Sequence, residues 1–241
     1  MTILELMKSF EEDRIQVDGA SYIGEPRDFT IMFVSRKVGH LINRLKEHQG
    51  CIVFAEKGIE YEEEIMKENN IIFVDNPQFE YVRFATQFEK KKNRLFSNQR
   101  LTLTEGGYYV GENTQIGKNS YIEPFCVIGH GVKIGDNARI LAGSKINNAI
   151  IGDNFLCNEN AVIGNNSFAI AEDENGNKYR IPALGKVVIG NDVEVGVCND
   201  ISRGTCGDTI LEDHVKLNSL VHVGHESHLY KNVEVAAGAI I

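Results

Sequence analysis

A chain of 241 residues with 42% apolar content is long enough to bury a sizeable core in one large or two modest domains. Its formal net charge of −9, with a single short basic run at residues 90–92, argues against a nucleic-acid partner. The acidic N-terminal segment does not resemble a secretory signal, and no apolar run approaches membrane-spanning length, so we expect a cytoplasmic protein without a membrane span. The five cysteines form no C-x-x-C pair, which favours reduced packing thiols and no metal site.

Residues 1–100 have the pattern of a small α/β domain. Three short apolar runs predict buried strands, at 31–35, 51–55 and 70–75. Helical stretches are predicted between them, at 37–49 and 58–69. Asn76 and Pro77 form a helix start signal, and apolar residues then recur at helical spacing, at Tyr81, Phe84 and Phe88. We predict that this third helix packs on the sheet and that a connector follows it, from Glu89 to Thr104.

From about residue 110, aliphatic residues follow a strict period of six that survives interruptions. The series consists of Ile116, Ile122, Ile128, Ile134, Ile140, Ile146, Ile151, Cys157, Ile163, Ile189, Val195, Ile201, Leu211, Leu217, Val223, Leu229, Val235 and Ile241. Each six-residue unit supplies a short strand and a turn, and three units close a coil of about 18 residues. Glycine often follows the aliphatic residue, with Asn or Asp nearby, which suits turns with positive φ. Residues 101–241 are therefore predicted to form a parallel β-helix of hexapeptide repeats, interrupted by a loop at 168–186 and a shorter one at 203–209.

The segment from Ile181 to His225 resembles the core of UDP-3-O-acylglucosamine N-acyltransferases, the lipid A pathway enzymes. It contains IPALG, ISRGTCGDT and VHVGH in that family's order and spacing. Two N-terminal segments, RDFTIMFVSRKV (27–38) and NPQFEYVRF (76–84), are similar to the family's nucleotide-binding strand and turn and to its following helix. The resemblance implies a nucleotide-binding-like domain that is followed in the chain by a left-handed β-helix. It also implies a homotrimer with substrate grooves between its subunits.

The same resemblance implies transfer of an acyl group to the amine of a nucleotide-linked amino sugar. The donor would be an acyl carrier protein thioester or an acyl-coenzyme A, acting as a cosubstrate and not as a bound cofactor. His225 matches the family's catalytic histidine, and Asn218 stands in place of an aspartate that could orient its imidazole. His130 has the same repeat register as His225, so only the motif separates them. The candidate substrate-binding residues are His222, Ser219, Arg203, Ser202, Phe33 and Arg36.

Several positions depart from the family pattern. Ser202 replaces an Asp, Ser219 and Glu226 each replace an Asn, and Arg36 falls near an expected Asn. These changes favour a sister enzyme that acylates a different nucleotide amino sugar, such as an amino-deoxy sugar. The oxyanion-donating amide and a second histidine of the family would lie beyond Ile241, so we expect a truncated or shortened chain.

Two other functions stay open from the sequence. One is an acetyl-CoA-dependent acetyltransferase of a small acceptor, and the other is a non-catalytic β-helix paralogue. The repeat alone also permits a zinc hydratase of the carbonic anhydrase type, but the histidine spacing gives that reading no support.

Overall fold

The computed structural model describes residues 2–96 and 100–241, which form two compact units. The first comprises 2–96 together with Phe168–Leu184 and Thr205–Gly207. The second comprises 100–167, Gly185–Gly204 and Asp208–Ile241. The sequence analysis assigned the whole of 168–186 to the second domain. The structure instead groups most of that loop with the first unit, because its apolar residues are buried in the core of that unit, at Ala171 and Ile181.

A four-stranded parallel sheet lies at the centre of the first unit, with its strands in chain order. The strands are β1 (Gly19–Ala20), β2 (Thr30–Val34), β3 (Ile52–Glu56) and β4 (Asn70–Val74). Successive side chains point to opposite faces, so Ile52 and Phe54 enter one core while Val53 and Ala55 enter the other. The first core includes α1 (Ile3–Glu11) and α2 (Pro77–Phe96), and the second includes two 3-10 helices (Arg36–Glu47 and Glu63–Met66).

Helix α2 begins as predicted but is longer than predicted. Asn76 caps it, with its Oδ1 accepting the Phe79 N–H at 3.0 Å. Tyr81 and Phe84 are fully buried. The helix continues to Phe96, so the predicted connector is wrong up to that residue, and its next three residues lie outside the described ranges. No helix in the described ranges is long and apolar enough to cross a membrane.

Helix α1 was not predicted. A capping box starts it: Thr2 Oγ1 accepts the Glu5 N–H at 3.2 Å, and the Glu5 carboxylate accepts the Thr2 N–H at 2.8 Å. Leu6 and Phe10 are buried four residues apart, on one side of the helix. The segment that argued against a secretory signal is therefore part of the core.

The 168–186 loop contains an antiparallel hairpin, β16 (Ile170–Glu172) and β17 (Lys178–Arg180). Its turn is held by Asp173, whose Oδ1 accepts the backbone N–H of Asn175 and of Asn177, both at 2.9 Å. Gly176 has φ +79°, a left-handed conformation that glycine adopts without strain. The pKa of Asp173 lies below its usual value, chiefly because the Asn177 side chain donates to its carboxylate.

The second unit is a parallel β-helix with three faces, numbered in chain order. Face 1 contains β7 (Gln115–Ile116), β10 (Lys133–Ile134), β13 (Ala149–Ile151), β18 (Val187–Ile189), β21 (Thr209–Leu211) and β24 (His228–Leu229). Face 2 contains β8 (Tyr121–Ile122), β11 (Arg139–Ile140), β14 (Leu156–Cys157), β19 (Glu194–Val195), β22 (Lys216–Leu217) and β25 (Glu234–Val235). Face 3 contains β6 (Tyr109–Val110), β9 (Val127–Ile128), β12 (Lys145–Ile146), β15 (Val162–Asn166), β20 (Asp200–Arg203) and β23 (His222–Val223), with β5 (Thr102–Leu103) antiparallel to β6.

Strand register follows the hexapeptide period. Ile116 pairs with Ile134 one coil later, and the insertion at 203–209 lengthens the coil that pairs Val187 with Thr209. From Ile116 to Val235 the aliphatic series packs in or against the interior as predicted, whereas Ile241 is 44% exposed and is not part of it. Burial raises the pKa of the inward Cys157 thiol to about 12, so it stays protonated and packs as an apolar group. The period and the parallel β-helix are confirmed, and the left-handed sense stays a prediction.

Positive φ occurs near the predicted turns, but most glycines that follow inward residues do not have it themselves, Gly164 (76°) being an exception. A Cβ on Gly117 would lie 2.3 Å from the carbonyl carbon and oxygen of Gly135 in the next coil. Positive φ is instead found two residues later, at Asn119 (57°) and Asn137 (61°). The Asn137 side chain donates to Asn154 Oδ1 at 3.0 Å, one coil further along. Asparagine therefore makes these turns, while glycine lets successive coils approach closely.

Candidate active site

His225 lies in the corner between faces 3 and 1, two residues after the inward Val223. Its exposed imidazole hydrogen-bonds through Nδ1 to the carboxylate of the adjacent Glu226. A carboxylate accepts, so Nδ1 carries the proton in this pair. Within the described ranges Nε2 makes no hydrogen bond to a protein group, and the side chain is 42% exposed. The arrangement is that of a general base held by an orienting carboxylate.

Thr209 fixes the turn that carries this pair. The buried Thr209 hydroxyl accepts the Glu226 N–H at 3.1 Å and donates to the Ser202 carbonyl at 2.7 Å. It therefore joins the His225 turn to the strand that precedes the 203–209 insertion. Thr209 was not among the predicted site residues, although it begins strand β21 at the end of an insertion.

Ser202 and Arg203, two predicted substrate contacts, lie at the end of β20. Ser202 is 4% exposed, and its Oγ accepts from Asn165 Nδ2 at 3.4 Å. Its hydroxyl therefore faces the protein and is not presented to a substrate in this chain. Arg203 is half-buried and donates from Nε to Asn166 Oδ1 at 2.9 Å.

Asn218 does not contact His225. It lies in the corner between faces 2 and 3, and its Oδ1 accepts the Ser219 N–H at 2.7 Å. Strand β23 separates that corner from the His225 turn, so the expected orienting contact is absent within one chain. Asn218 and Ser219 instead line a groove of about 630 Å³ along face 2, together with Glu194, Lys216 and Glu234.

His222 projects outward from β23 and pairs with a residue that the sequence analysis did not single out. Its Nδ1 lies 2.9 Å from Asp200 Oδ2 on the neighbouring strand β20. The strands place these residues directly opposite each other. The signal was available in the sequence, since the two residues are 22 apart, which is one coil of about 18 residues lengthened by about four at the 203–209 insertion.

His130, which has the register of His225, has a different environment. Its Nδ1 accepts the Glu112 backbone N–H at 2.8 Å. That nitrogen must be unprotonated to accept, so the ring caps a turn of the preceding coil. The two histidines are equivalent in the repeat but not in their hydrogen bonds.

The two predicted contacts in the first unit lie at or near the carboxyl end of β2. Phe33 is half-buried, with its ring centroid 5.3 Å from that of Tyr81, so it is mainly a packing residue. Arg36 donates its backbone N–H and its Nε to the Glu56 carboxylate, at 2.8 and 2.5 Å. The backbone hydrogen bond, followed by the side-chain one, holds the pKa of Glu56 below its usual value.

A groove of about 450 Å³ lies close to these residues, at the carboxyl ends of β3 and β4. Its lining includes Lys57, Phe73, Asp75, Phe79 and Asp173. Ligands of open α/β sheets bind at this edge of the strands. The residues that line this groove were not predicted as a site, because Lys57 and Asp75 follow apolar strands without any motif that marks a binding site.

Comparison with known proteins agrees with the repeat and with the resemblance. The family described as bacterial transferase hexapeptide (six repeats) matches residues 113–148. UDP-3-O-acylglucosamine N-acyltransferase 2 of Legionella pneumophila (strain Paris) is 43% identical over 97 residues, which cover 40% of this chain and 26% of the relative. The UDP-3-O-acylglucosamine N-acyltransferase of Hydrogenovibrio crunogenus is 37% identical over 124 residues, covering 51% of this chain and 34% of the relative.

A third relative extends the match along the chain. The UDP-3-O-acylglucosamine N-acyltransferase of Coxiella burnetii (strain Dugway 5J108-111) is 28% identical over 196 residues, covering 70% of this chain and 54% of the relative. The chain thus spans between about a quarter and a half of the length of these relatives. The fold and the matched repeat define a hexapeptide-repeat chain. Its sequence is similar to that of the UDP-3-O-acylglucosamine N-acyltransferases.

Proposed function

We propose that this chain is an N-acyltransferase that moves an acyl group from a thioester to the amine of a nucleotide-activated amino sugar. The observation that carries the proposal is the His225 imidazole, held at Nδ1 by Glu226 and partly exposed to solvent. His225 is the last residue of the segment that resembles the N-acyltransferases, and Glu226 follows it. The carboxylate comes from a position where the sequence departs from the family, so the departure supplies an orienting group.

The chemistry needs one proton acceptor. The amine nitrogen attacks the thioester carbonyl carbon, the C–N bond forms, and the C–S bond breaks. His225 Nε2 accepts the proton that the amine loses and returns it to the sulfur, which leaves as a thiol. Glu226 keeps the Nδ1 proton in place and stabilises the transient imidazolium.

The proposed assembly is a cytoplasmic homotrimer whose active sites lie between subunits. Asn218 and His225 occupy different corners of one β-helix, and a neighbouring chain could bring its own Asn218 corner to the His225 corner. Cyclic association also encloses a groove that a single flat-faced prism does not offer. For the first unit taken by itself, Arg36 and the adjacent strand ends are the proposed nucleotide contacts.

A thiol-release assay tests the reaction. Acceptors are UDP-linked 3-O-acylglucosamine and UDP-linked amino-deoxy sugars, and donors are acyl carrier protein thioesters and acyl-coenzyme A of increasing chain length. Amide formation with a nucleotide sugar, identified by mass spectrometry, is the expected result. Reaction with acetyl-CoA and a small unlinked amine alone would indicate an acetyltransferase of another kind. An intact trimer that neither reacts with nor binds any donor in calorimetry would indicate a non-catalytic paralogue.

Mixing two impaired variants tests the shared site. We expect His225→Ala and Asn218→Ala trimers to be impaired separately and to regain activity when co-refolded. When the two variants assemble at random, about one quarter of the interfaces contain a native His225 from one chain and a native Asn218 from the other. Activity that stays at the sum of the two separate variants would place both residues of a site in one chain, or show that Asn218 does not act there.

A further inference from the structure

Thr209 brings a buried hydroxyl to a corner of the β-helix where the preceding coils have apolar side chains. Ala149 pairs with Val187 in the next coil, and Val187 pairs with Thr209 in the coil after that. All three residues are at most 2% exposed, and the first two belong to the interior core. Burying a hydroxyl costs free energy unless it is hydrogen-bonded, and valine fills the same place one coil earlier. Packing therefore does not require threonine here, and the reason for the hydroxyl lies in its hydrogen bonds.

Those hydrogen bonds lead to the turn that carries His225. The hydroxyl donates to the Ser202 carbonyl at 2.7 Å and accepts the Glu226 N–H at 3.1 Å. A hydroxyl has one proton, so the bond to the carbonyl fixes its direction and leaves a lone pair for the N–H. Glu226 follows His225 and supplies the carboxylate that holds Nδ1. One buried side chain thus sets the backbone position of the residue that orients the imidazole.

The acceptor in this turn differs in kind from the acceptor in regular turns of the β-helix. There the N–H of the left-handed residue donates to a backbone carbonyl of the preceding coil, as Gly131 does to the Glu112 carbonyl at 2.9 Å. Before Glu226, the 203–209 insertion stands in place of the regular turn, and the Thr209 hydroxyl takes the role of that carbonyl. Glu226 has φ 56°, a strained conformation for a residue with a Cβ, and this hydrogen bond helps to hold it.

We propose that Thr209 is a positioning residue for acyl transfer, which acts through the Glu226 turn on the His225 imidazole. The inference rests on the proposed function. Without the hydroxyl, the turn gains freedom at its strained residue, and the Glu226 carboxylate is no longer held against Nδ1. The imidazole proton can then move to Nε2, and the ring loses the lone pair that accepts the proton of the amine. Thr209 is buried and does not contact a substrate, so its role affects turnover and not binding.

Steady-state kinetics of two substitutions at one position test the role. We expect Thr209→Val to lower kcat by about 5- to 10-fold, the effect of one hydrogen bond, with both KM values within about twofold. Valine packs at the paired position of the preceding coil, so this variant should fold. Thr209→Ser keeps the hydroxyl and should recover most of kcat. In a His225→Ala background, Thr209→Val should have no further effect, because its only route is through the imidazole.

Thr114→Val is the matched control. Thr114 lies at the same corner, and its hydroxyl donates to the Gly129 carbonyl at 2.7 Å, in the turn that carries His130. The change removes a comparable hydrogen bond from the other histidine turn, so kcat should equal that of the wild type. Equal losses of kcat in the two valine variants, a wild-type kcat in Thr209→Val, or no recovery in Thr209→Ser would overturn the assignment.

A nuclear magnetic resonance measurement separates this inference from the proposed function, because it does not depend on turnover. In protein labelled with ¹⁵N-histidine, the ring nitrogens report which of them carries the proton, and His225→Ala identifies the His225 signals by their loss. At a pH where the ring is neutral, the wild type, Thr209→Ser and Thr114→Val should have the proton on Nδ1. Thr209→Val should have it shared with Nε2 or moved there, and this result would support the positioning role even if the wild type transfers no acyl group. An Nδ1 proton that is unchanged in Thr209→Val, or absent from the wild type, would refute the role.

Discussion

Replacing His225 by Ala is expected to lower kcat for acyl transfer by about 10²- to 10⁴-fold, the usual contribution of a general base. The fold should be retained, because the side chain is exposed and projects from a turn. The measurement is thiol release under saturating donor and acceptor. Added imidazole should restore part of the lost rate, since a diffusible base can take the proton that Nε2 no longer accepts.

Two further variants separate base chemistry from turn structure. Glu226→Gln keeps the size of the side chain but removes the charge on the acceptor of the Nδ1 proton, and we expect a smaller loss, about 10-fold. His130→Gln changes a histidine of the same register whose ring caps a backbone N–H, so kcat should be unchanged. Wild-type turnover in His225→Ala, or equal losses in the His225 and His130 variants, would contradict the assignment.

The β-helix was predictable because its period is a direct consequence of its geometry. Each face takes six residues, so every sixth side chain must enter a narrow interior, and the sequence records this as an aliphatic series. The helices of the first unit were less predictable. Lysine is a good helix former, so the charged run at 90–92 continues α2 instead of ending it. In a short amphipathic helix such as α1, the sequence signal for the core-facing side is only two apolar residues four positions apart, Leu6 and Phe10.

The site was only partly predictable because residues close in sequence are distant on a β-helix. A spacing of seven residues spans one face, which places Asn218 and His225 in successive corners. Residues that do touch are about one coil apart, as Thr209 and Glu226 are. Such pairs can be predicted only if the register between successive coils is known. The two insertions shift that register, and the sequence motifs do not show by how many residues. Glu226 was visible only as a departure from a family pattern, with no sign of what it contacts.

Gly117→Ala is expected to destabilise the β-helix by about 3 kcal/mol, at the upper end of the cost of overpacking. The new methyl group would lie 2.3 Å from the carbonyl carbon and oxygen of Gly135, and 2.5 Å from the Asp136 backbone nitrogen. These are backbone atoms of the next coil, tied into the ladder by the Gly117 N–H to Ile134 carbonyl bond of 2.9 Å. They cannot move aside as a flexible side chain does, so the coils must separate and weaken that bond.

Gly131→Ala supplies the control, because it isolates backbone conformation from close approach. Gly131 has φ +66°, and among the described residues no atom beyond its chain neighbours lies within 4 Å of the position that an alanine methyl group would take. The change should therefore cost only the strain of a left-handed alanine, about 1 kcal/mol. Urea unfolding at one protein concentration gives both free energies, and an equal m-value in the two variants shows that the folded states are comparable. If Gly117→Ala were no more destabilising than Gly131→Ala, the contact between coils would not be the reason for glycine after the inward residue. A larger loss in Gly117→Ala would instead follow from the contact between coils, and the spacing of the coils would then set the residue choice along the whole corner.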